Sequence, residues 1–310
     1  MRLVKRVFSL ILLLAFLSSL GCSSGEPDSS ADTTGSGEDT TEKTADTEPI
    51  DVPAFEKRED QVYAADLFDS SETLNIAFMG GSLTSGGISY NKLMPNWPIS
   101  SNTWTNNIIT YFVKKYKSTK TVYALNAALP GTSSDFAAER FDAQVVPFEP
   151  DILFIEYAVN DWNFDSYNAT AHCEYIIRRC LDLDKIPVII FLYAPFPMED
   201  DDYRFERYTN GIEAKKGLVE HYGLTGVDAW DYVRELYKAD ETELSFTDWL
   251  SNAGKGYYNR VSDTYVDVHP FSTGYALFPM LSSNNSTRIS TRSLTGPLLP
   301  IYILRAVKST

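Results

Sequence analysis

Short apolar runs that alternate with amphipathic stretches limit most strongly how this chain can fold. The amphipathic stretches repeat apolar side chains at helical spacing, which predicts helices over residues 105–116, 136–145 and 206–222. The apolar runs have the length and composition of buried strands. They cover residues 74–79, 121–127, 152–158 and 187–193, with a weaker run at 225–229. The alternation predicts an α/β fold in which helices cover both faces of a mainly parallel sheet of about five strands.

Functional residue types follow three of these strands at the point where each strand ends. Ser82, in the turn Gly80-Gly81-Ser82, follows the first strand, Gly131 follows the second, and Asn160 follows the third. Ligands of a doubly wound sheet bind at the carboxyl ends of its strands, so these residues converge on one edge. A serine on a tight glycine turn can act as a nucleophile. Gly and Ser are also ordinary turn residues, but the convergence of three segments favours a functional role.

The N-terminus has the pattern of a bacterial secretion signal. Three basic residues precede an uncharged, mostly apolar stretch at residues 7–20. This stretch is shorter than the ~20 residues that span a bilayer, which favours a cleaved signal over a membrane helix. Cys22 follows a small residue and resembles the lipidated cysteine of bacterial lipoproteins, although Ser19 stands where those proteins usually have Leu. We therefore expect a signal peptide at 1–22 and export to the cell envelope with a lipid anchor on Cys22; the alternative is a soluble secreted protein.

The segment after this signal cannot build a core. Residues 23–50 are almost all Ser, Thr, Asp, Glu and Gly, with eight acidic residues and only Lys43 opposing them. Such a composition predicts a disordered acidic tether. The remaining residues, 51–310, are predicted to form one domain. The formal net charge of the chain is −15, which argues against a nucleic-acid partner.

The remaining cysteines, Cys173 and Cys180, lie seven residues apart. A helix over residues 171–183 would separate them by about 10 Å along its axis, beyond the reach of a disulfide. They are predicted to be two buried thiols. His172 has no spaced set of further ligands around it, so no metal is expected.

Four segments of the chain resemble the sequence blocks of a known hydrolase family. Residues 79–84, 126–132, 156–161 and 268–270 are similar, in this order, to blocks of the SGNH or GDSL-like hydrolases, with Gly-Gly-Ser in place of Gly-Asp-Ser. The resemblance runs over about 74–275. It implies a serine esterase with a flavodoxin-like, three-layer α/β/α fold. Such an esterase needs no metal or organic cofactor.

The resemblance gives each block a role. Ser82 is the expected nucleophile and His269 the base that accepts its proton. The N–H groups of Ser82 and Gly131 and the side-chain amide of Asn160 are the expected donors to the oxyanion. Of the other histidines, His221 lies near a predicted helix end, where a structural role is favoured. His269 is expected in a loop.

One position departs from the family. Most relatives have an aspartate three residues before the histidine, and here that position is Val266. The nearest acids are Asp267 and Asp263. Some members of the fold orient the histidine with a backbone carbonyl instead. The sequence leaves three alternatives for the group that holds the His269 ring, with Asp267 as the candidate catalytic residue.

Aromatic side chains near the expected site point to the substrate. Tyr90 and Trp97 lie in the loop that follows Ser82, and Trp162 comes two residues after Asn160. These rings suit stacking on sugars, although Trp and Tyr are also commonly half-buried packing residues. No long apolar segment indicates a lipid-binding lid. We expect a cell-surface esterase that removes acetyl or other short acyl groups from polysaccharide or another small ester.

The sequence also leaves other functions open. A lipase, thioesterase or acyltransferase would use the same scaffold. A glycan-binding surface lipoprotein without catalysis would keep the fold while lacking the expected acid at position 266. Residues 282–310 match no part of the family and are left as an unassigned tail. The oligomeric state is also left open.

Overall fold

The computed structural model describes residues 57–86, 103–117, 119–251, 253–262, 265–270 and 274–277. The predicted signal peptide, the lipidation site Cys22, the acidic tether and the tail lie outside these residues and stay predictions. Tyr90, Trp97 and Asp263 also lie outside them.

Five parallel strands form the central sheet, as the alternating pattern predicts. Two short strands, Val62–Tyr63 and Lys185–Ile186, pair in parallel apart from it. The strands of the central sheet are β1 (Thr73–Gly80), β2 (Thr121–Asn126), β3 (Ile152–Glu156), β4 (Val188–Tyr193) and β5 (Thr225–Asp228). Their order across the sheet is β2-β1-β3-β4-β5. This is the flavodoxin-like order, which changes direction between β1 and β3.

Burial explains why these segments form strands. Every residue of β3 and β4 is buried, and so are residues 76–79 of β1. A strand covered on both faces needs continuous apolar sequence rather than alternation. β2, at one edge of the sheet, is mostly exposed.

Seven α-helices accompany the strands in the described residues. The helices are α1 (Ser82–Ser85), α2 (Trp104–Lys115), α3 (Ser134–Gln144), α4 (Ser166–Leu181), α5 (Phe205–His221), α6 (Ala229–Ala239) and α7 (Phe246–Leu250). The predicted helices match α2, α3 and α5 to within two residues at each end. Side chains of Thr103, Asp165 and Asp228 each accept a backbone N–H three residues further on, which fixes the starts of α2, α4 and α6.

The connections place helices on both faces of the sheet. Parallel crossovers are right-handed, and the path from β1 to β2 runs opposite to the path from β2 through β5. Therefore α2 covers one face while α3, α4 and α5 cover the other. Contacts between α3 and α4 and between α4 and α5 agree with this arrangement. On the first face, Trp104 of α2 packs edge-on against Phe78 of β1, with ring centroids 5.4 Å apart.

A β-hairpin lies outside the sheet. It pairs β6 (Tyr258–Ser262) with β7 (Tyr265–Pro270) in antiparallel register. The expectation that His269 lies in a loop is wrong, because it lies on β7. The segment around residue 263 combines turn residues with flanking aromatic and β-branched residues, which is the sequence pattern of a hairpin.

The cysteine prediction is confirmed. Cys173 and Cys180 both lie on α4 as buried free thiols. Burial raises the pKa of Cys173 to about 12 and also raises that of Cys180. Among the described residues, no group of three His, Cys, Asp or Glu side chains could hold a metal ion. No helix in this part of the chain is long and apolar enough to cross a membrane.

Candidate active site

The turn that carries Ser82 is built for close approach. β1 ends at Gly80, and α1 begins at Ser82, which is buried. A Cβ atom on Gly81 would overlap the side-chain amide of Asn160. Glycine at this position therefore allows the third block of the sequence to lie against the first.

The hairpin brings a histidine and an aspartate to this serine. His269 Nε2 lies 2.7 Å from Ser82 Oγ, and His269 Nδ1 lies 2.8 Å from Asp267 Oδ1. The same Asp267 oxygen accepts the backbone N–H of His269 at 3.1 Å. A proton on Nδ1 leaves Nε2 free to accept the serine proton. Of the alternatives for the group that holds the His269 ring, the structure shows a contact with Asp267.

Strand geometry explains the two-residue spacing. Side chains at positions i and i+2 of a strand point to the same face, so Asp267 and His269 of β7 lie side by side. Val266, three residues before the histidine, is buried in the hydrophobic core. An acid at that position would therefore not lie beside the ring.

Asn160 is held by the loop that follows β3. It begins a one-turn 3₁₀ helix, Asn160–Asn163, and its carbonyl oxygen accepts the Ser133 hydroxyl at 3.2 Å. The next residue, Asp161, accepts the N–H of Ser134 at 2.9 Å. Its other oxygen lies 2.9 Å from Lys215 Nζ, and this ion pair is almost completely buried. These contacts fix the loop to α3 and α5.

Gly131 lies at the same edge of the sheet, in the loop after β2. Its φ of +75° is in the left-handed region that favours glycine. The loop is tied to the serine turn by a hydrogen bond from Leu129 N–H to the Gly80 carbonyl at 3.0 Å and by another from the Asn126 amide to the Thr84 carbonyl at 2.9 Å. Gly131 itself is exposed. The structure thus brings Ser82, His269, Asp267 and Asn160 together and places Gly131 two residues beyond an anchored point.

A buried carboxyl lies behind the serine turn, and sequence reasoning missed it. Glu156, the last residue of β3, accepts the Thr84 hydroxyl at 3.0 Å, and both side chains are fully buried. Loss of solvation raises the pKa of Glu156 to about 7, against the opposing effects of the Thr84 hydrogen bond and the Lys215 charge. Its position at a strand end, as the first residue of the third family block, was the available signal.

Aromatic side chains border the loop that carries Asn160. Trp162 is half-buried and packs edge-on against Tyr203, with ring centroids 6.2 Å apart. Tyr203 is 77% exposed and lies between β4 and α5. Sequence reasoning named Trp162 but missed Tyr203, although the segment after β4 starts at the same edge of the sheet. Tyr90 and Trp97 lie outside the described residues.

This arrangement can support acyl transfer. A serine oxygen within hydrogen-bond distance of an imidazole, whose second nitrogen faces a carboxylate, can lose its proton as it attacks an acyl carbon. The amide of Asn160, packed against the serine turn, is a donor of the kind that stabilises an oxyanion.

Comparisons with solved structures find chains to which this one is similar. A protein of Parabacteroides merdae described as a GDSL-like lipase has a TM-score of 0.50 and 18% identity, over 66% of this chain and 91% of that chain. A two-domain esterase active on acetylated mannans has a TM-score of 0.46 and 21% identity, over 69% of this chain and 49% of that chain. An acetylxylan esterase of Geobacillus stearothermophilus has a TM-score of 0.46 and 14% identity, over 66% and 90% of the two chains. This chain thus spans about half of the two-domain esterase.

No curated protein sequence matches this chain. The family model of GDSL-like lipases and acylhydrolases matches residues 78–277, more than half of the chain. The match includes the Ser82 turn, the Asn160 loop and the hairpin. The flavodoxin-like sheet and the serine–histidine–aspartate contacts agree with this assignment, and the chain belongs to the GDSL-like lipase/acylhydrolase family of ester hydrolases.

Proposed function

We propose that this protein is a serine esterase that removes acetyl or other short acyl groups from polysaccharide at the bacterial cell surface. The observation that carries the proposal is the continuous line of contacts from Ser82 through His269 to Asp267, beside Asn160. The family membership supports ester hydrolysis as the reaction class.

The proposed reaction has two steps. Ser82 Oγ attacks the ester carbon, and His269 Nε2 takes the serine proton and returns it to the departing sugar hydroxyl. Water then attacks the acyl-serine, with His269 again acting as base, and releases the carboxylic acid. Asp267 holds the Nδ1–H and stabilises the imidazolium that forms.

The negative oxygen of each tetrahedral intermediate needs preplaced donors. We assign this role to the N–H groups of Ser82 and Gly131 and to the Asn160 amide. Each such donor is worth about 3 kcal/mol in the transition state.

The surroundings of the site favour a sugar as the alcohol part of the substrate. Trp162 and Tyr203 present an aromatic edge beside the Asn160 loop, and Tyr203 is largely exposed. An exposed ring can stack on the apolar face of a sugar. The predicted export signal and Cys22 support a position at the cell surface, where polysaccharide is accessible.

An ester panel tests this proposal. The purified wild type and the Ser82→Ala variant are compared on acetylated xylan and on p-nitrophenyl esters from acetate to palmitate. Release of acetate from xylan and rapid hydrolysis of the acetate ester, both lost in Ser82→Ala, are the expected results. A preference for the palmitate ester would replace the proposal with a lipase. Xylan binding without hydrolysis of any ester would indicate a non-catalytic glycan-binding protein; the contact between Asp267 and His269 speaks against that alternative.

A further inference from the structure

The proposed reaction does not use the fully buried carboxyl of Glu156. Charged side chains are rarely buried without a partner because the loss of solvation is costly. Among the described residues, the Glu156 carboxyl accepts one hydrogen bond of normal geometry. The donor is the hydroxyl of Thr84, two residues after Ser82. The Val159 N–H lies close enough to favour the charged form slightly. The carboxyl is therefore directed at the turn that carries the nucleophile.

A glycine at position 80 permits the contact between Thr84 and Glu156. Gly80 of β1 lies opposite Glu156 of β3 in the sheet. A Cβ atom on Gly80 would overlap the Thr84 hydroxyl and lie 2.7 Å from the Glu156 carbonyl oxygen. The absence of a side chain at position 80 allows Thr84 to cover the end of β1 and reach Glu156.

Two contacts then hold the serine turn against the segment 156–161. Asn160 packs on Gly81, on one side of Ser82, and Glu156 binds Thr84 on the other. A third contact, from the Tyr275 hydroxyl to the Leu83 carbonyl at 3.2 Å, involves the residue between Ser82 and Thr84. The position of Ser82 Oγ relative to His269 therefore depends on side chains behind the turn.

Burial, and not the surrounding charges, favours the neutral form of Glu156. The nearest charged groups, Asp161 and Lys215, are paired with each other at 2.9 Å, so together they add little net field. Burial keeps the surrounding phenols neutral by raising their pKa values. The described ionisable groups that act on Glu156 are Asp161, Lys215, the adjacent Tyr157, Tyr208 of α5, Tyr258 of β6 and Tyr275 of the 3₁₀ turn Gly274–Leu277.

We propose that Glu156 is a positioning residue whose neutral carboxyl holds Ser82 in place through Thr84. The inference rests on the proposed esterase function. If Glu156 ionises, its negative charge lies behind the turn at which the negative oxyanion forms, and the two charges repel each other in a medium of low polarity. Because the pKa of Glu156 is raised to about 7, this loss is centred near neutral pH. The kcat of the wild type should therefore fall as Glu156 ionises with rising pH.

The test compares kcat and KM for p-nitrophenyl acetate between about pH 5.5 and 9 in wild type, Glu156→Gln, Glu156→Ala, Thr84→Val and Thr84→Ser. Glutamine keeps a neutral group of the same shape. In Glu156→Gln the fall in kcat with rising pH should disappear. Glu156→Ala and Thr84→Val should lower kcat by about 10- to 100-fold with little change in KM, the loss expected from a displaced catalytic group. Thr84→Ser should restore most of kcat.

Thr105→Val is the matched control, because it removes a buried threonine hydroxyl that bonds to Thr103 rather than to Glu156. Its stability should fall without a loss of kcat. Circular dichroism melts at each pH give the folded fraction by which every rate is corrected. If Glu156→Ala does not fold, the pH profile of Glu156→Gln decides alone.

Two results would overturn the inference while leaving the esterase proposal intact. One is a fall in kcat with rising pH in Glu156→Gln equal to that of the wild type. The other is a wild-type kcat in folded Glu156→Ala. An inactive wild type across the ester panel would instead remove the proposed function itself, and the inference with it.

Discussion

The two halves of the site are held by different kinds of structure. Ser82 and Asn160 lie at the carboxyl ends of β1 and β3, adjacent parallel strands at the point where the sheet order changes direction. His269 and Asp267 lie on an antiparallel hairpin outside this sheet. On the sheet, the place where a strand ends determines which residues meet. On the hairpin, the face of the strand to which a side chain points determines which residues meet.

This difference changes what each half tolerates. The sheet half depends on residues that have no side chain, because Gly80 and Gly81 leave room for Thr84 and Asn160. The hairpin half depends on the parity of the spacing, because a shift by one residue would turn Asp267 into the core and Val266 towards the ring. Substitutions that test the sheet half should therefore act through volume, and those that test the hairpin half through position.

Removal of the nucleophile or of the base should have the largest effect on kcat. The loss should be the same for the residue on the sheet and for the residue on the hairpin. Ser82→Ala and His269→Ala should each lower kcat for p-nitrophenyl acetate by roughly 10⁴-fold or more, because nucleophile and base act as one unit. His221→Ala, which removes an exposed histidine at the C-terminal end of α5, is the control and should stay near the wild type. Steady-state kinetics at neutral pH give the comparison. A His269→Ala variant with most of its activity would show that the hairpin does not supply the base.

Substitutions on the hairpin test whether the acid must lie two residues before the histidine. Asp267→Asn should lower kcat by about 10³- to 10⁴-fold, since the Nδ1–H loses its carboxylate. Asp263→Asn, which removes the other acid that the sequence offered, should leave kcat near the wild-type value. Adding Val266→Asp to Asp267→Asn places a carboxyl three residues before the histidine, as most relatives have it. Because position 266 faces the core, this double variant should lose stability without recovering kcat. Recovery would show that the spacing, and not the strand face, selects the acid.

A side chain added to the sheet half of the site should have a smaller effect on kcat. Gly81→Ala should lower kcat by about 10²-fold, because the added Cβ displaces the Asn160 amide from the serine turn. Gly217→Ala is the matched control: a Cβ there meets nothing within 4 Å, and alanine favours the helix α5 in which it lies. Its melting temperature should rise slightly with kcat unchanged.

A double-mutant cycle identifies the path of this loss. If Gly81→Ala acts through Asn160, then Gly81→Ala combined with Asn160→Ala should lose no more than the worse single variant. Multiplied losses would mean that the alanine displaces Ser82 itself.

The same contrast explains how much could be predicted from the sequence. The five strands and the meeting of Ser82 with Asn160 follow from apolar runs and from the rule that ligands bind where parallel strands end. The acid of the hairpin does not follow in this way, because the sequence leaves the register of two short strands open. Glu156 was missed for a different reason: its proposed role depends on a three-dimensional contact with Thr84, 72 residues away, and its place in the third family block does not reveal that contact.

The aromatic edge should give the smallest effect and should separate substrate binding from chemistry. Tyr203 packs on Trp162 beside the sheet half of the site and is 77% exposed, so its ring is available to a sugar. Tyr203→Ala should raise KM for acetylated xylan by about 3- to 10-fold, the loss of one stacking contact worth about 1 kcal/mol, with kcat/KM for p-nitrophenyl acetate unchanged. Tyr123→Ala, which removes a half-exposed tyrosine from the edge strand β2, should leave both values unchanged. Equal losses on both substrates in Tyr203→Ala would mean that Tyr203 supports the Asn160 loop through Trp162 and contacts no sugar.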